Sequence, residues 1–528
     1  MRSLFLALTL LLSCTTAWSQ TLAREQVLHK GNGPEPEALD PHRAEGVNTS
    51  NILRDLFEGL TSEAPDGHLI PGVAQSWELS EDGKTYTFHL RENARWSNGD
   101  ALTASDFVYS LQRSADPATA SNYSSILEPI ENAAEVTTGK LPPSRLAVFA
   151  PDAHTLVIRL RAVTPYFLGL LNHASTYPVH RPSIEKYGAR AFRAENIVGN
   201  GAYKATEWVV QSHVLLSRNR QYWDDAHTTI ERVYYHATED LSSEFKRYRA
   251  GEIDWTESVP VTQVRWIRKN IPQEFRVSPY LGVYYYGLNL TQPPFKNNPK
   301  LRRALSLAID REVIVKKVIG TGELPAYSWV PPIPGYKQQT AEWGAWPREK
   351  RLAEARRLYA EAGYSAANPV EVEIRYNTSE DHKKIALVIA AMWKQYLGVK
   401  TRLVNQEFKV FLRDRTQKKI TQAFRSGWIG DFNDPYTFSE LLYSKNGRND
   451  MGYVNVNYDS LLEQAATEID ATRRMQYLEQ AEHLMLEDQP MIPLYFYVNK
   501  RLAKPYVVGW QGNIMDHHYT KNMKVLAH

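Results

Sequence analysis

Cysteine is almost missing from this 528-residue chain: the single one, Cys14, lies among the first twenty residues. If that segment is removed, no thiol remains, which excludes disulfides, zinc fingers and a cysteine nucleophile. Stability must then come from large hydrophobic cores, and this length supports two or three domains. Past the N-terminus no apolar run is long enough to span a membrane. An excess of one charge is missing too, since 62 Lys and Arg face 59 Asp and Glu for a net charge of +3. With no basic stripe, nucleic acid is not an expected partner. Low-complexity tracts and internal repeats are also absent. So are the motifs of catalysis. No phosphate loop or dinucleotide fingerprint follows a strand, and neither HExxH nor a Gly-x-Ser-x-Gly elbow occurs. Among 59 acids, carboxylate pairs are too common to argue for a glycosidase. The adjacent His517 and His518 should point apart, as part of a solvated tail instead of a metal site. These absences favour a binding protein with no cofactor or metal over an enzyme.

The first residues are informative. Arg2 precedes the apolar run LFLALTLLL (4–12), and a polar stretch then ends in AWSQ. This is the layout of a secretory signal peptide over residues 1–19, with Ala17 and Ser19 placed for cleavage before Gln20. Cys14 in LLSC also fits a lipoprotein box except at Leu12, so lipid attachment there competes with loss of the segment. Either way the mature chain is expected outside the cytoplasm, in the periplasm.

Aromatic residues are plentiful, with 30 Tyr and 13 Trp. Most belong in cores, and some supply recognition surface with polar tips. Alternation in KTYTFHLR (84–91) and HTLVIRLR (154–161) predicts half-buried strands. A helix beginning at Pro299 places Leu301, Ala304, Leu305 and Ala308 on one face. Strand 369–377, helix 380–397 and strand 399–405 form a strand–helix–strand unit, which predicts a mainly parallel sheet covered by helices. In that helix Ile385, Val388, Ile389, Met392, Trp393 and Tyr396 share a stripe. A last helix after Asp470 turns Leu478, Ala481 and Leu484 inward.

One stretch stands out. RSGWIGDFNDP (425–435) crowds a tryptophan, two glycines and two carboxylates into eleven residues. A turn uses Gly, Asn, Asp and Pro but has no need of Trp428. A metal loop needs more carboxylates than Asp431 and Asp434. A ligand pocket needs both flexible backbone and an acid.

Eight segments in order, spread along the mature chain, carry a resemblance. They are LDPHRAEGVNTSNILRDLFEGL (39–60), PGVAQSWELSEDGKTYTFHLRENARWSNGDALTASDFVYS (71–110), NGAYKATEWV (200–209), RYRAGEID (247–254), LRRALSLAIDREVIVKKVIGTGELPA (301–326), NTSEDHKK (377–384), RSGWIGDFNDP and MIPLYFYVNKRLAKPYVVGW (491–510). Together they resemble the bacterial extracellular solute-binding proteins of family 5. The resemblance implies an α/β clamshell, the type II, cluster C periplasmic-binding fold with an extra domain. Domain I would comprise 24–57, 195–282 and 499–528, domain II 58–194 and domain III 283–498. It implies a monomer that holds short peptides extended between its lobes and hands them to an ABC permease in the inner membrane. Main-chain pairing is blind to side chains, so specificity would lie at the peptide ends.

By the same resemblance Asp431 meets the peptide α-ammonium. Glu45 lies near the peptide, and Tyr123, Tyr497, Trp428 and Phe408 form aromatic walls. His382, Arg415 and Arg425 meet carboxylate ends, and Asn377 joins this ligand-binding set. Asn433, Asp434 and Pro435 are read as a simple turn. Relatives carry a cysteine pair where this chain has Gly282 and Ile429, so the anchor is expected to be held by packing alone. Phe408 replaces a tryptophan, and Glu257 stands where amides are usual. Within the family a receptor for murein tripeptide is the rival, with Arg415 as a spare cation for the added carboxylate. Rivals of other classes are an exported peptidase and a chaperone-like holdase.

Overall fold

A computed structural model describes residues 21–44, 46–121 and 123–528, apart from the side chains of Phe408 and Lys409. The N-terminal part is built on two four-stranded sheets. In the first, Val27–Gly31 pairs in parallel with Arg232–His236, followed by antiparallel His213–Arg218 and Tyr203–Val209. The second runs antiparallel in the order Ala74–Leu79, Thr85–Leu90, Thr155–Arg159, Val148–Phe149. Its two expected strands are present, with Tyr86, Phe88, Leu156 and Ile158 buried as the alternation requires. One continuous core joins both sheets and closes with residues 503–525 from the end of the chain.

The second lobe is organised by a six-stranded sheet. Its order is Leu324–Pro325, Met491–Leu502, Phe275–Leu288, Ala423–Ile429, Glu371–Asn377, Lys400–Gln406. Period-two alternation along Phe275–Leu288 sends Tyr284 and Tyr286 into the core on one face. Leu281, Val283 and Tyr285 go into the core on the other. Helix Pro299–Ala308 buries Leu301, Ala304, Leu305 and Ala308 completely, and each leucine contributes about 1.5–3 kcal/mol.

The strand–helix–strand unit forms as expected, with Glu371–Asn377 and Lys400–Gln406 parallel. Helix Glu380–Leu397 between them is capped by Ser379 and by left-handed Gly398. The sheet as a whole departs from the expectation, because it is mixed. Only the pairings of Glu371–Asn377 are parallel, whereas Phe275–Leu288 and Met491–Leu502 pair antiparallel with their neighbours. Phe275–Leu288 enters the sheet from the first lobe and Met491–Leu502 returns to it, so the two long strands form an antiparallel ribbon.

Helix Ala471–Asp488 buries Leu478 and Ala481, with Leu484 only half-buried. Glu482 interrupts the apolar stripe of this helix. It is buried on the inward face and accepts from Trp329 N at 2.7 Å, Val330 N at 2.8 Å and the Tyr336 hydroxyl at 2.5 Å. Burial pushes its carboxyl up to about 7. Among the described residues no helix is long and apolar enough to cross a membrane.

Candidate functional site

Strand Ala423–Ile429 lies beside Phe275–Leu288 with Trp428 opposite Val283 and Ile429 opposite Gly282. Gly282 and Ile429, the positions where the resemblance implies a cysteine pair in other family members, are therefore direct cross-strand partners. A Cβ at Gly282 would stand 2.4 Å from Ile429 Cδ1, so the isoleucine fills the space that a second side chain would need. Beyond the strand, Gly430 N donates to Leu281 O at 2.8 Å. A Cβ on Gly430 would come within 2.5 Å of Leu281 Cδ2. The Leu281 side chain therefore packs against this glycine, which also lines the adjoining cavity.

The next residue, Asp431, projects its carboxylate from this strand end into a cavity of about 610 Å3, within the range of small-molecule sites. Its carboxylate is 43% exposed and lies 3.7 Å from Arg448 Nη1. The Arg448 guanidinium in turn sits 5.3 Å from the Trp428 ring centre, and the Trp428 indole donates to Thr437 Oγ1 at 3.3 Å. Burial raises the Asp431 carboxyl above the ordinary range, and Arg448 opposes that rise. Glu440, in the following turn, is pushed up to about 7 by burial and by the charge of Asp431. Two carboxyls that resist ionisation side by side form a site suited to an incoming cation.

The anchor is held by more than packing. Phe432 stacks on Tyr166 of the first lobe, with ring centres 4.5 Å apart and planes 9° off parallel. Asp434 is buried and not a simple turn residue. It accepts both guanidinium nitrogens of Arg474 at 2.7 and 2.8 Å, tying the loop to helix Ala471–Asp488. Such bidentate pairs add geometric rigidity as well as energy.

The other expected residues fall into distinct places. Tyr123 lines the same cavity as Asp431, with its ring 4.7 Å from that of His173. Asn377, Arg425 and Tyr497 on the six-stranded sheet form a separate group with His382 from helix Glu380–Leu397. Arg425 donates to Asn377 Oδ1 at 3.3 Å and lies 5.0 Å over Tyr284, whose hydroxyl is 3.2 Å from His382 Nδ1. The Tyr497 ring packs against the same Tyr284, 6.3 Å between centres. Burial, reinforced by Arg425, lowers His382 to about 4 and keeps it neutral. Arg415 stands apart, its Nε 2.7 Å from Asp450 and its Nη1 donating to Ser426 Oγ at 3.1 Å. Phe408 begins helix Phe408–Gln417, and its side chain lies outside the described residues. Glu45 and the proposed leader, with Cys14, lie outside them as well.

His517 and His518 do point apart, but neither is in a solvated tail. His517 Nδ1 meets Glu63 at 2.6 Å and His518 Nε2 meets Asp516 at 2.8 Å, both inside the first lobe. Among the described residues no group of three or more His, Cys, Asp or Glu side chains could hold a metal ion.

A cavity between two α/β lobes, with an ionisable anchor on one wall, defines a two-lobed solute-binding protein. The chain belongs to the bacterial extracellular solute-binding proteins, family 5, whose middle region matches residues 68–450. It is 44% identical over 512 residues to the periplasmic oligopeptide-binding protein OppA of Salmonella typhimurium, covering 96% of this chain and 94% of that protein. Among solved structures it is similar to MppA, a periplasmic murein tripeptide binding protein, in its unliganded open form. The identity is 38%, coverage is 96% of this chain and 99% of that one, and the TM-score is 0.89. Against OppA of Haemophilus influenzae in complex with the peptide RPPGFSPFR, also 38% identical and covering 96% and 100%, the TM-score is 0.75. The whole chain is thus more similar to that unliganded open form than to that peptide complex. The family's type II clamshell with an extra domain is the fold of this chain. Family membership makes it a binding protein and not an enzyme.

Proposed function

We propose that this chain is the exported, peptide-binding component of an ABC transporter. It captures short peptides extended between its lobes in the periplasm and delivers them, as a monomer, to a permease in the inner membrane. The observation that carries this reading is the Asp431 carboxylate, which faces the interlobe cavity near Glu440, with the exposed Arg448 as its one ion-pair partner among the described residues. A free α-ammonium satisfies that carboxylate better than a solvated guanidinium at 3.7 Å. Relatives whose names state oligopeptide binding cover almost the whole chain, which supports the same reading.

On this reading Asp431 holds the peptide amine, and Tyr123 and Trp428 border its first residues. Arg425, with His382, Asn377 and Tyr497, waits for the carboxylate end. The division into domain I (24–57, 195–282, 499–528), domain II (58–194) and domain III (283–498) puts the hinge where Phe275–Leu288 and Met491–Leu502 lose register, between Pro279 and Val283. Ligand then shifts the population from the open to the closed arrangement by binding the closed one more tightly. A murein tripeptide needs a spare cation for its additional carboxylate. Arg415 is already paired with Asp450, which favours ordinary peptides.

Native mass spectrometry of protein purified from its source tests the assignment, with co-purified peptide as the expected result. Incubation with tripeptides is the companion test, and appearance of cleaved product would refute the receptor reading.

A further inference from the structure

Asp431 sits between two neighbours that are pinned to different lobes. Before it, Gly430 N donates to Leu281 O at 2.8 Å and holds the strand end to the six-stranded sheet. After it, the Phe432 ring is buried in the core of the first lobe, although its chain segment comes from the second. The residue that receives it is Tyr166, just ahead of the short helix Phe167–Leu170, whose Phe167 and Leu170 are buried in that core. The Tyr166 ring lies 4.5 Å from that of Phe432 with planes 9° apart, and 5.3 Å from that of Tyr436 with planes 18° apart. Stacked rings at such separations attract one another beyond the area they bury.

The loop is shaped to present both rings. Asp434 N donates to Phe432 O at 2.8 Å, and Tyr436 N donates to Asp434 Oδ1 at 2.8 Å, so a tight turn sets the spacing of Phe432 and Tyr436. Behind the turn, Arg474 engages both carboxylate oxygens of Asp434 and brings its guanidinium 5.7 Å from the Tyr166 ring centre. Tyr166 therefore meets three side chains of the second lobe. Another contact between the lobes does not involve this loop. A Cβ on Gly83 would lie 3.2 Å from Ile469 Cδ1, and Ile469 is itself 53% exposed.

We infer that Tyr166 is a positioning residue for the amine anchor: by stacking on Phe432 and Tyr436 it fixes where Asp431 stands relative to the first-lobe wall. Tyr166 acts through its ring and the loop and contributes no charge to the ammonium. With the loop held in advance, the ordering cost of the anchor is met on folding and not on binding, which tightens the complex. The preference for a free N-terminus then depends on a residue of the lobe opposite the one that supplies the acid. This role rests on the peptide-receptor reading above, with Asp431 as the anchor.

Calorimetric titration of the full mature protein with trialanine and N-acetyl-trialanine tests it, read as the ratio of the two affinities. Tyr166→Leu lowers the wild-type ratio about tenfold, the loss expected for two aromatic stacks. Phe432→Leu lowers it similarly from the other side of the stack, and either variant suffices for the test. Tyr166→Phe, which keeps the ring, retains most of the ratio. Ile469→Ser, which loses a contact between the lobes outside the loop, keeps the wild-type ratio. In an Asp431→Ala background Tyr166→Leu has little further effect on trialanine, because both changes remove the same interaction. An unchanged ratio in Tyr166→Leu and Phe432→Leu overturns the positioning role, and so do losses that simply add to that of Asp431→Ala. A proportionate loss for both peptides overturns it as well, since that marks packing or lobe closure. An equal fall in Ile469→Ser does the same, since that marks lobe contact in general. If wild type binds the two peptides equally, or neither, the anchor reading falls first and takes this role with it.

Discussion

Replacing Asp431 with alanine separates the anchor from everything else in the cavity. In the open arrangement the carboxylate is 43% exposed and its partner Arg448 is 60% exposed at 3.7 Å, so that ion pair is worth under about 1 kcal/mol. Closure removes water, and a peptide ammonium then faces Asp431 in a low-dielectric cleft. Breaking such a buried pair by deleting one partner costs roughly 3–5 kcal/mol, because the other charge stays buried and unpaired. At about 1.4 kcal/mol per tenfold, Asp431→Ala weakens free-amine peptides by about two to three and a half orders of magnitude. N-acetylated peptides, which carry no ammonium, bind wild type poorly and respond little to the substitution. Arg448→Gln is the control. Removing a solvated competitor changes affinity by no more than about fivefold, toward tighter binding. Calorimetric titration with matched free and acetylated tripeptides measures all of these. Equal wild-type affinity for the two forms would refute the role of Asp431.

The remaining expectations concern pH and covalent constraint. Because Glu440 titrates at about 7 in the empty site and Asp431 is raised as well, the ammonium binds the deprotonated pair and releases protons. Affinity therefore rises from pH 5 to 7, and it falls again above about 8 as the peptide amine deprotonates. An unchanged affinity between pH 5 and 7 contradicts the coupling, and Glu440→Gln flattens most of the rise. Stability has its own acid limb at His42, fully buried between Tyr177 O at 2.9 Å and Arg113 Nη1 at 2.8 Å. Burial, reinforced by Arg113 and opposed by Asp40, lowers it to about 4. The unfolded chain takes up the proton first, so about 3 kcal/mol is present above pH 6.5 and is lost as pH falls toward 4. Denaturant melts of His42→Gln across that range should show a shallower loss, and identical slopes would contradict it. Finally, Gly282→Cys with Ile429→Cys places two thiols on direct cross-strand partners. The pair should oxidise and raise the melting temperature. Persistent free thiols under oxidising conditions would show that the strands cannot reach disulfide geometry.

Much of the scaffold was legible because it is local. Alternation marked Thr85–Leu90 and Thr155–Arg159, and the 3.6-residue stripe marked Glu380–Leu397, since each pattern is set by neighbours within one or two turns. The family was legible from eight ordered segments, and the resemblance they carry singled out Asp431 as the candidate anchor. Less legible was anything decided by a distant partner. Asp434 read as a turn residue until Arg474, forty residues on, engaged it from another helix. Arg415 read as an available cation until Asp450 neutralised it. Glu482 broke an apolar stripe for reasons found some 150 residues earlier, at Trp329 and Val330.

The stretch RSGWIGDFNDP shows the division most plainly. Its composition raised the possibility of a pocket, and the resemblance to family 5 carried by eight ordered segments assigned its acid and aromatic plate to a binding site. Tertiary structure decided how each residue serves. It gave Gly430 to Leu281, Phe432 to Tyr166 and Asp434 to Arg474, leaving Asp431 as the carboxylate that faces the cavity. The physical reason is range. Backbone periodicity and turn chemistry act over a few residues, whereas charge pairing and close packing act through space between segments that only the folded chain brings together.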